Sequence, residues 1–204
     1  MQRIRVATID SGVNPTHPHV QPIAGGIGVA PEGFETCYTD FLGHGTAVAG
    51  AIREKAPLVN IYAVKIFDRS LATSGSILFR ALDWCLDQEF DFINLSLGTR
   101  NDSYRKEFQH RIKRAQLMNS RIVAAYEDQG QPVFPGHLEG VVGVVLNDEC
   151  PRENCIEQYR NGRIVYGAAG YPRSIPGLPA NRNLQGVSFA VANVTGFLSN
   201  LASK

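Results

Sequence analysis

The chain has 204 residues, 44% of them hydrophobic and 19% charged, with a formal net charge of +1. That is ordinary globular composition, enough for one domain with a sizeable core and short for two, so residues 1–204 are expected to form a single domain. The balanced charge provides no global field to draw in nucleic acid or anionic membrane, and no apolar run reaches the length of a bilayer span, so neither partner is expected.

The opening Met1-Gln2-Arg3-Ile4-Arg5-Val6 lacks the long apolar stretch of a signal peptide, no N-terminal propeptide is visible, and a cytoplasmic location is expected. Arg3 to Ile9 is apolar and β-branched, a first strand. His44 to Arg53 reads as a helix rich in small residues, and Val59 to Lys65 alternates as a strand. Ser74 to Gln88 has helical periodicity through Ile77, Leu78, Ala81, Leu82 and Cys85. Phe90 to Leu95 is a short apolar strand. Ser103 to Asn119 reads as an amphipathic helix whose apolar side comprises Phe108, Ile112, Ala115 and Leu117, while its basic residues Arg105, Lys106, Arg111, Lys113 and Arg114 read as a solvated face. Arg121 to Tyr126 and Gly140 to Leu146 are further strands, Gly167 to Gly186 is a long Gly/Pro-rich loop, and Ser188 to Leu201 is a closing helix. Strands alternating with helices predict an α/β fold, a mostly parallel sheet with helices on both faces.

The four cysteines do little to narrow the function. Cys37 and Cys85 are isolated; Cys150 and Cys155 bracket a polar loop that admits a disulfide or half of a zinc site. Their spacing fits no standard zinc signature, and free thiols are expected in a reducing compartment. No metal or cofactor is expected.

Three short segments carry the chemistry. Ala7-Thr8-Ile9-Asp10-Ser11-Gly12 puts a carboxylate at a strand end, where sites of open α/β sheets form. Gly43-His44-Gly45-Thr46 opens a helix with a base. Gly186-Val187-Ser188-Phe189-Ala190 opens another with a hydroxyl, beside the unpaired N–H groups and positive dipole end of a helix N-terminus. Taken singly these are a turn-forming Asp, a core His and a Ser near an N-cap. Together, in the order Asp, His, Ser, they supply the parts of a nucleophilic triad.

These segments resemble those of the subtilisin-like serine protease family, the subtilases, and the resemblance covers nearly the whole chain. His17-Pro18 follows the aspartate segment, Ala47-Val48-Ala49-Gly50 the histidine segment and Val194-Thr195-Gly196 the serine segment. Phe92-Ile93-Asn94-Leu95-Ser96-Leu97-Gly98 is similar to the family's substrate-binding strand. The resemblance implies a three-layer subtilisin-like fold and a serine endopeptidase in which Ser188 attacks a peptide carbonyl, His44 moves the proton and Asp10 orients His44. It implies that Ser96, Leu97 and Gly98 pair with a peptide or protein substrate, that Gly75, in Ser74-Gly75-Ser76, lies on the opposite edge, and that Val133 stands near the floor of the first side-chain pocket and makes it shallow.

The sequence also departs from the family. Where subtilases have Ala-Ala-Gly-Asn, with the Asn amide donating to the oxyanion, this chain has Ala124-Ala125-Tyr126-Glu127-Asp128, and the matching position is Asp128. An ionised Asp repels an oxyanion, whereas burial beside apolar groups raises a carboxyl pKa and would let a protonated Asp128 donate, with an acid-shifted optimum. One branch of the related proprotein convertases also carries Asp there. The calcium-binding loop of many subtilases has no counterpart between Lys55 and Ala56. The implied work is processing of a specific peptide. Two alternatives use the same residues: a catalytically impaired peptide-binding module, and a peptide cyclase or ligase that passes the acyl group to an amine.

Overall fold

The computed structural model describes residues 3–179 and 182–204. Its frame is one nine-stranded sheet in the order β10-β11-β9-β6-β5-β1-β4-β2-β3. The strands are β1 (Arg5–Asp10), β2 (Gly25–Ala30), β3 (Gly33–Glu35), β4 (Asn60–Lys65), β5 (Phe92–Leu95), β6 (Arg121–Ala125), β9 (Val142–Leu146), β10 (Cys155–Arg160) and β11 (Arg163–Ala168); β7 (Glu127–Asp128) and β8 (Gln131–Pro132) form a separate small ribbon. From β11 through β2 all neighbours are parallel, and the antiparallel pairs β10–β11 and β2–β3 finish the two edges. The helices are α1 (His44–Lys55), α2 (Gly75–Asp87), α3 (Arg105–Leu117) and α4 (Val187–Ala202).

Side-chain alternation along the strands builds the three layers. Ala7 and Ile9 of β1, with Ile93 and Leu95 of β5, join the core beneath α2 and α3, which also holds Leu82, Phe90 and Phe108. Val6 of β1 and Phe92 of β5 join the opposite core, beneath α1 and α4, with Ile52, Phe189 and Val194. The parity therefore turns Thr8 and Asp10 of β1, and Asn94 of β5 with Ser96 just past its end, toward α1 and α4. This is the face on which His44 and Ser188 lie.

Helix α3 differs from expectation in two ways. Phe108, Ile112 and Ala115 are buried at helical spacing, but Leu117 is 85% exposed, because nine residues past Phe108 at 3.6 per turn is half a turn off the apolar stripe. Nor is the basic face simply solvated. Arg111 is 12% exposed, pairs with Asp83 at 2.7 Å and Glu107 at 2.8 Å, and stacks on Phe79; Arg114 pairs with Asp87 and Arg105 with Asp102. Asp83 and Asp87 belong to α2, so Arg111 and Arg114 tie α3 to its neighbour.

All four cysteines are free thiols, Cys85 and Cys150 buried, Cys37 exposed and Cys155 between. Burial pushes the Cys85 thiol far above its ordinary range. Among the described residues no group of three or more His, Cys, Asp or Glu side chains is placed to hold a metal ion, and no helix is long and apolar enough to cross a membrane.

Candidate active site

Asp10 ends β1, a central strand flanked by β4 and β5, and is fully buried. The chain must leave this strand sharply. Gly12 turns it at φ +93°, and a Cβ there would collide with the Tyr38 carbonyl. The Asp10 Oδ1 accepts hydrogen bonds from the Ser11 N–H at 2.7 Å, the Ser11 hydroxyl at 3.2 Å and His44 Nδ1 at 2.8 Å; its Oδ2 is buried with no hydrogen-bond partner among the described residues.

His44 is the first residue of α1, entered through Gly43 at φ +80°. The helix start sits directly on the end of β1: a Cβ on Gly45 would collide with the Gly12 carbonyl. Replacing Gly45 by Ala is therefore expected to push α1 away from β1, stretching the Asp10–His44 hydrogen bond and lowering stability by about 1–3 kcal/mol, as overpacked core sites do; an unchanged denaturation midpoint would contradict this close seating.

Because an ionised carboxylate only accepts, the proton between the two side chains belongs to His44 Nδ1, and Nε2 is left as the free base. Burial alone would hold the His44 pKa down, but the hydrogen bond and charge of Asp10, with a contribution from Asp40, outweigh it and raise the imidazole above 6.5.

Asp40 was not evident as a site residue, although an Asp four residues before His44, in Asp40-Phe41-Leu42-Gly43, is a turn and cap signal. Its Oδ1 accepts from the Ser11 hydroxyl at 2.9 Å and the N–H groups of Leu42 at 2.9 Å and Gly43 at 2.8 Å. Its Oδ2 accepts from the Thr46 N–H at 2.8 Å and hydroxyl at 2.7 Å. One carboxylate thus fixes both the turn into α1 and the serine beside Asp10.

Ser188 is the second residue of α4. Gly186 enters the helix at φ +149°, ψ 172°, a backbone reserved for glycine. Phe189 is buried, its ring 5.3 Å from the His44 ring between centroids, which sets the imidazole over the first turn of α4. The Ser188 hydroxyl donates to the Ser96 carbonyl at 3.1 Å, and among the described residues no hydrogen bond joins it to His44. A buried network holds this turn: Thr195 Oγ1 donates to Asn94 Oδ1 at 2.9 Å, Asn94 Nδ2 to Ser96 Oγ at 2.8 Å, and Ser96 Oγ to the Ser188 carbonyl at 3.1 Å. Sequence reasoning passed over Asn94 and Thr195; a polar residue inside the apolar run Phe92–Leu95 was the available signal.

A cavity of about 200 Å³ opens beside Ser188, walled by the segment from Ser96 to Arg100, by Asp128 and by Val133, Val187 and Val191. Ser96, Leu97, Gly98, Asp128 and Val133 thus converge on Ser188. Val133 fills the space a side chain on Gly98 would need. Gly75 lies elsewhere: it starts α2 with the Tyr104 ring against it and does not line this cavity. Asp128 is not buried among apolar groups. Its side chain is 47% exposed, and its Oδ2 lies 3.4 Å from Arg100 Nη2.

Known proteins resemble this chain in sequence and in fold. A family profile described as "Subtilase family" matches residues 2–204. The minor extracellular protease Epr of Bacillus subtilis (strain 168) is 34% identical over 72% of this chain and 24% of its own length. A thermostable alkaline protease of Halalkalibacterium halodurans is 29% identical over 98% of this chain and 57% of its own. The chain thus spans about a quarter to just over half the length of these relatives. Among solved structures, one described as the crystal structure of a lanthipeptide protease has the same fold, with a TM-score of 0.74 at 19% identity, covering 98% of this chain and 73% of that one.

Proposed function

The chain belongs to the subtilase family, and from that premise we propose that it is a serine endopeptidase in which Ser188 is the nucleophile, His44 the base and Asp10 the residue that orients His44. The observation that carries this reading is the buried 2.8 Å hydrogen bond from His44 Nδ1 to Asp10, with the His44 ring set against the helical turn that bears Ser188.

In this reading a peptide strand pairs with the main chain of Ser96, Leu97 and Gly98. Its N–H competes with the Ser188 hydroxyl for the Ser96 carbonyl, and the released hydroxyl turns toward His44 Nε2. Oγ attacks the scissile carbonyl as His44 takes its proton; the imidazolium, held by Asp10, passes that proton to the leaving amine. Water then cleaves the acyl ester with the same base. The Ser188 N–H, at the positive end of α4, is one donor to the oxyanion. Asp128 cannot donate as a carboxylate, and Arg100 offsets part of its charge.

A cavity of about 200 Å³ with three valines in its wall suits a small aliphatic side chain before the cleaved bond. A narrow pocket and the fold shared with a protein named as a lanthipeptide protease support processing of a specific peptide over bulk digestion. Digestion of a peptide library, read by mass spectrometry, tests this: cuts after Ala, Val or similar residues are expected. Cuts after large aromatic residues would contradict the pocket assignment, joined peptides would mark a ligase, and intact peptides that bind would mark a binding module, the reading favoured by a hydroxyl turned away from His44.

The pH dependence follows from His44. The base must be neutral, and its pKa is raised above 6.5 by Asp10 and Asp40, so kcat/KM is expected to rise with pH through a limb lying above 6.5. Removing a neighbouring negative charge lowers an imidazole pKa. The limb is therefore expected to move to lower pH in Asp40→Asn. An optimum on the acid side of 6.5 would contradict both the base assignment and the sign.

A further inference from the structure

A second, larger cavity, of about 440 Å³, lies on the α1 side of His44 and shares no lining residue with the one beside Ser188. It is bounded by Gly43, Thr46 and Ala47 at the start of α1, by His17 and His19 from the turns after β1, and by Arg173, Arg182 and Leu184 from the segment that leads to Ser188. The two walls are tied together, since Arg173 Nη1 donates to the His19 carbonyl at 3.4 Å and Asn183 Nδ2 to the Arg173 carbonyl at 3.2 Å.

The charge in this cavity is unbalanced. Among the described residues its one lining carboxylate is Asp40, which is fully occupied, accepting from Ser11, Leu42, Gly43 and Thr46. Glu54, close enough to influence His19, is taken up by Arg152 and Lys55. Among the described residues neither Arg173 nor Arg182 has an acidic partner, unlike Arg100, Arg105, Arg111, Arg114 and Arg152, which all do. Burial first, then Arg173 and His17, hold the His19 pKa below 6.5, leaving a neutral imidazole and the fixed charge on the two arginines. Ile175, Leu178 and Leu184 add apolar wall.

The position of the cavity says which half of a substrate reaches it. The acyl half is held at Ser96–Gly98, and the leaving amine departs past His44, whose neighbour Gly43 lines this cavity. We propose that the cavity is a specificity site for an acidic side chain, Asp or Glu, in the part of the substrate that follows the cleaved bond. This rests on the peptidase reading. The site takes a carboxylate as an ion pair with Arg173 and Arg182, inside a partly apolar wall that lessens solvent screening.

The test uses matched peptides identical up to the cleaved bond, carrying Asp, Asn or Lys at one of the second to fourth positions after it. The kcat/KM ratio of Asp to Asn is expected to be roughly three- to fivefold at its best position, the scale of a partly exposed ion pair. It should fall to about one in the Arg173→Ala/Arg182→Ala double variant, fall partway in Arg182→Ala, whose side chain is exposed, and invert in favour of Lys in Arg173→Glu. The same peptides, fluorescently tagged, are titrated against Ser188→Ala by anisotropy, which needs no turnover. A chain that cuts nothing but binds the Asp peptide several-fold more tightly keeps this inference and loses the peptidase reading. Equal affinity for Asp and Asn peptides at every position overturns the inference, whether or not peptides are cut.

Discussion

Replacing Ser188 by Ala is expected to lower kcat for peptide cleavage by roughly 10⁶-fold, the scale on which a nucleophile of this type contributes. The variant should fold as the parent does. The Ser188 hydroxyl makes one hydrogen bond, to the Ser96 carbonyl, while the turn that carries it is held by Ser96 Oγ on the Ser188 carbonyl and by the Asn94–Thr195 pair, none of which needs the hydroxyl. Substrate affinity should therefore change little, which separates lost chemistry from lost structure. Asp10→Asn is expected to cost less, about 10⁴-fold, because Ser188 and His44 remain and only the tautomer and the stabilised imidazolium are lost. Loss of activity in Asp10→Asn equal to that in Ser188→Ala, with peptide binding also gone, would point to a collapsed site.

Replacing Asp128 by Asn is expected to raise kcat by about 10²-fold with little change in KM. An oxyanion donor is felt in the transition state and hardly at all in the bound peptide, and donors of this kind are worth about 10²–10³-fold. The amide introduced by Asp128→Asn would add a donor and remove a repelling charge in the same step. The Arg100 guanidinium lies 3.3 Å from the Asp128 carbonyl and 3.4 Å from its Oδ2, and about half the Asp128 side chain is exposed, so the repulsion in the parent is already screened. That places the gain at the lower end of the range. Arg100→Ala should act in the opposite direction and slow the parent while leaving Asp128→Asn nearly unaffected. An unchanged kcat in Asp128→Asn would mean that this carboxylate faces the cavity mouth and not the oxyanion.

The central part of the fold was legible because it is apolar and periodic. β1, β4, β5, β6 and β9 are short buried runs, and α1, α2 and α4 carry stripes that the three-layer packing buries. The edges were not legible for the same reason. β10, Cys-Ile-Glu-Gln-Tyr-Arg, is solvent-facing along most of its length and has no apolar run to find. A turn signal was nevertheless present: Asn161-Gly162, with φ values of 47° and 79°, is the two-residue left-handed turn that joins β10 to β11. β11 runs to Ala168, so the loop read from Gly167 takes in the last two residues of the strand.

At the candidate site, the motifs single out Asp10, His44 and Ser188, and strand parity explains why Asp10 faces the helices that bear the other two. Asp40, Asn94, Thr195 and Arg100 were not, since each acts through hydrogen bonds or ion pairs to residues distant in sequence or across a turn. Asp128 shows the limit most clearly. Its identity is a matter of sequence, but whether its carboxyl is buried or meets an arginine depends on the fold.

The measurement that tests the central claim most directly is covalent labelling by a fluorophosphonate, read as intact mass and by peptide mapping, at pH values on both sides of the His44 limb. The reagent needs a nucleophile and a base but no particular peptide substrate. Stoichiometric phosphonylation at Ser188, faster above the limb than below it and absent from Ser188→Ala and His44→Ala, is the expected result. No labelling at any pH in a folded chain, or labelling that persists in Ser188→Ala, would contradict the assignment of Ser188 as a nucleophile activated by His44 and Asp10.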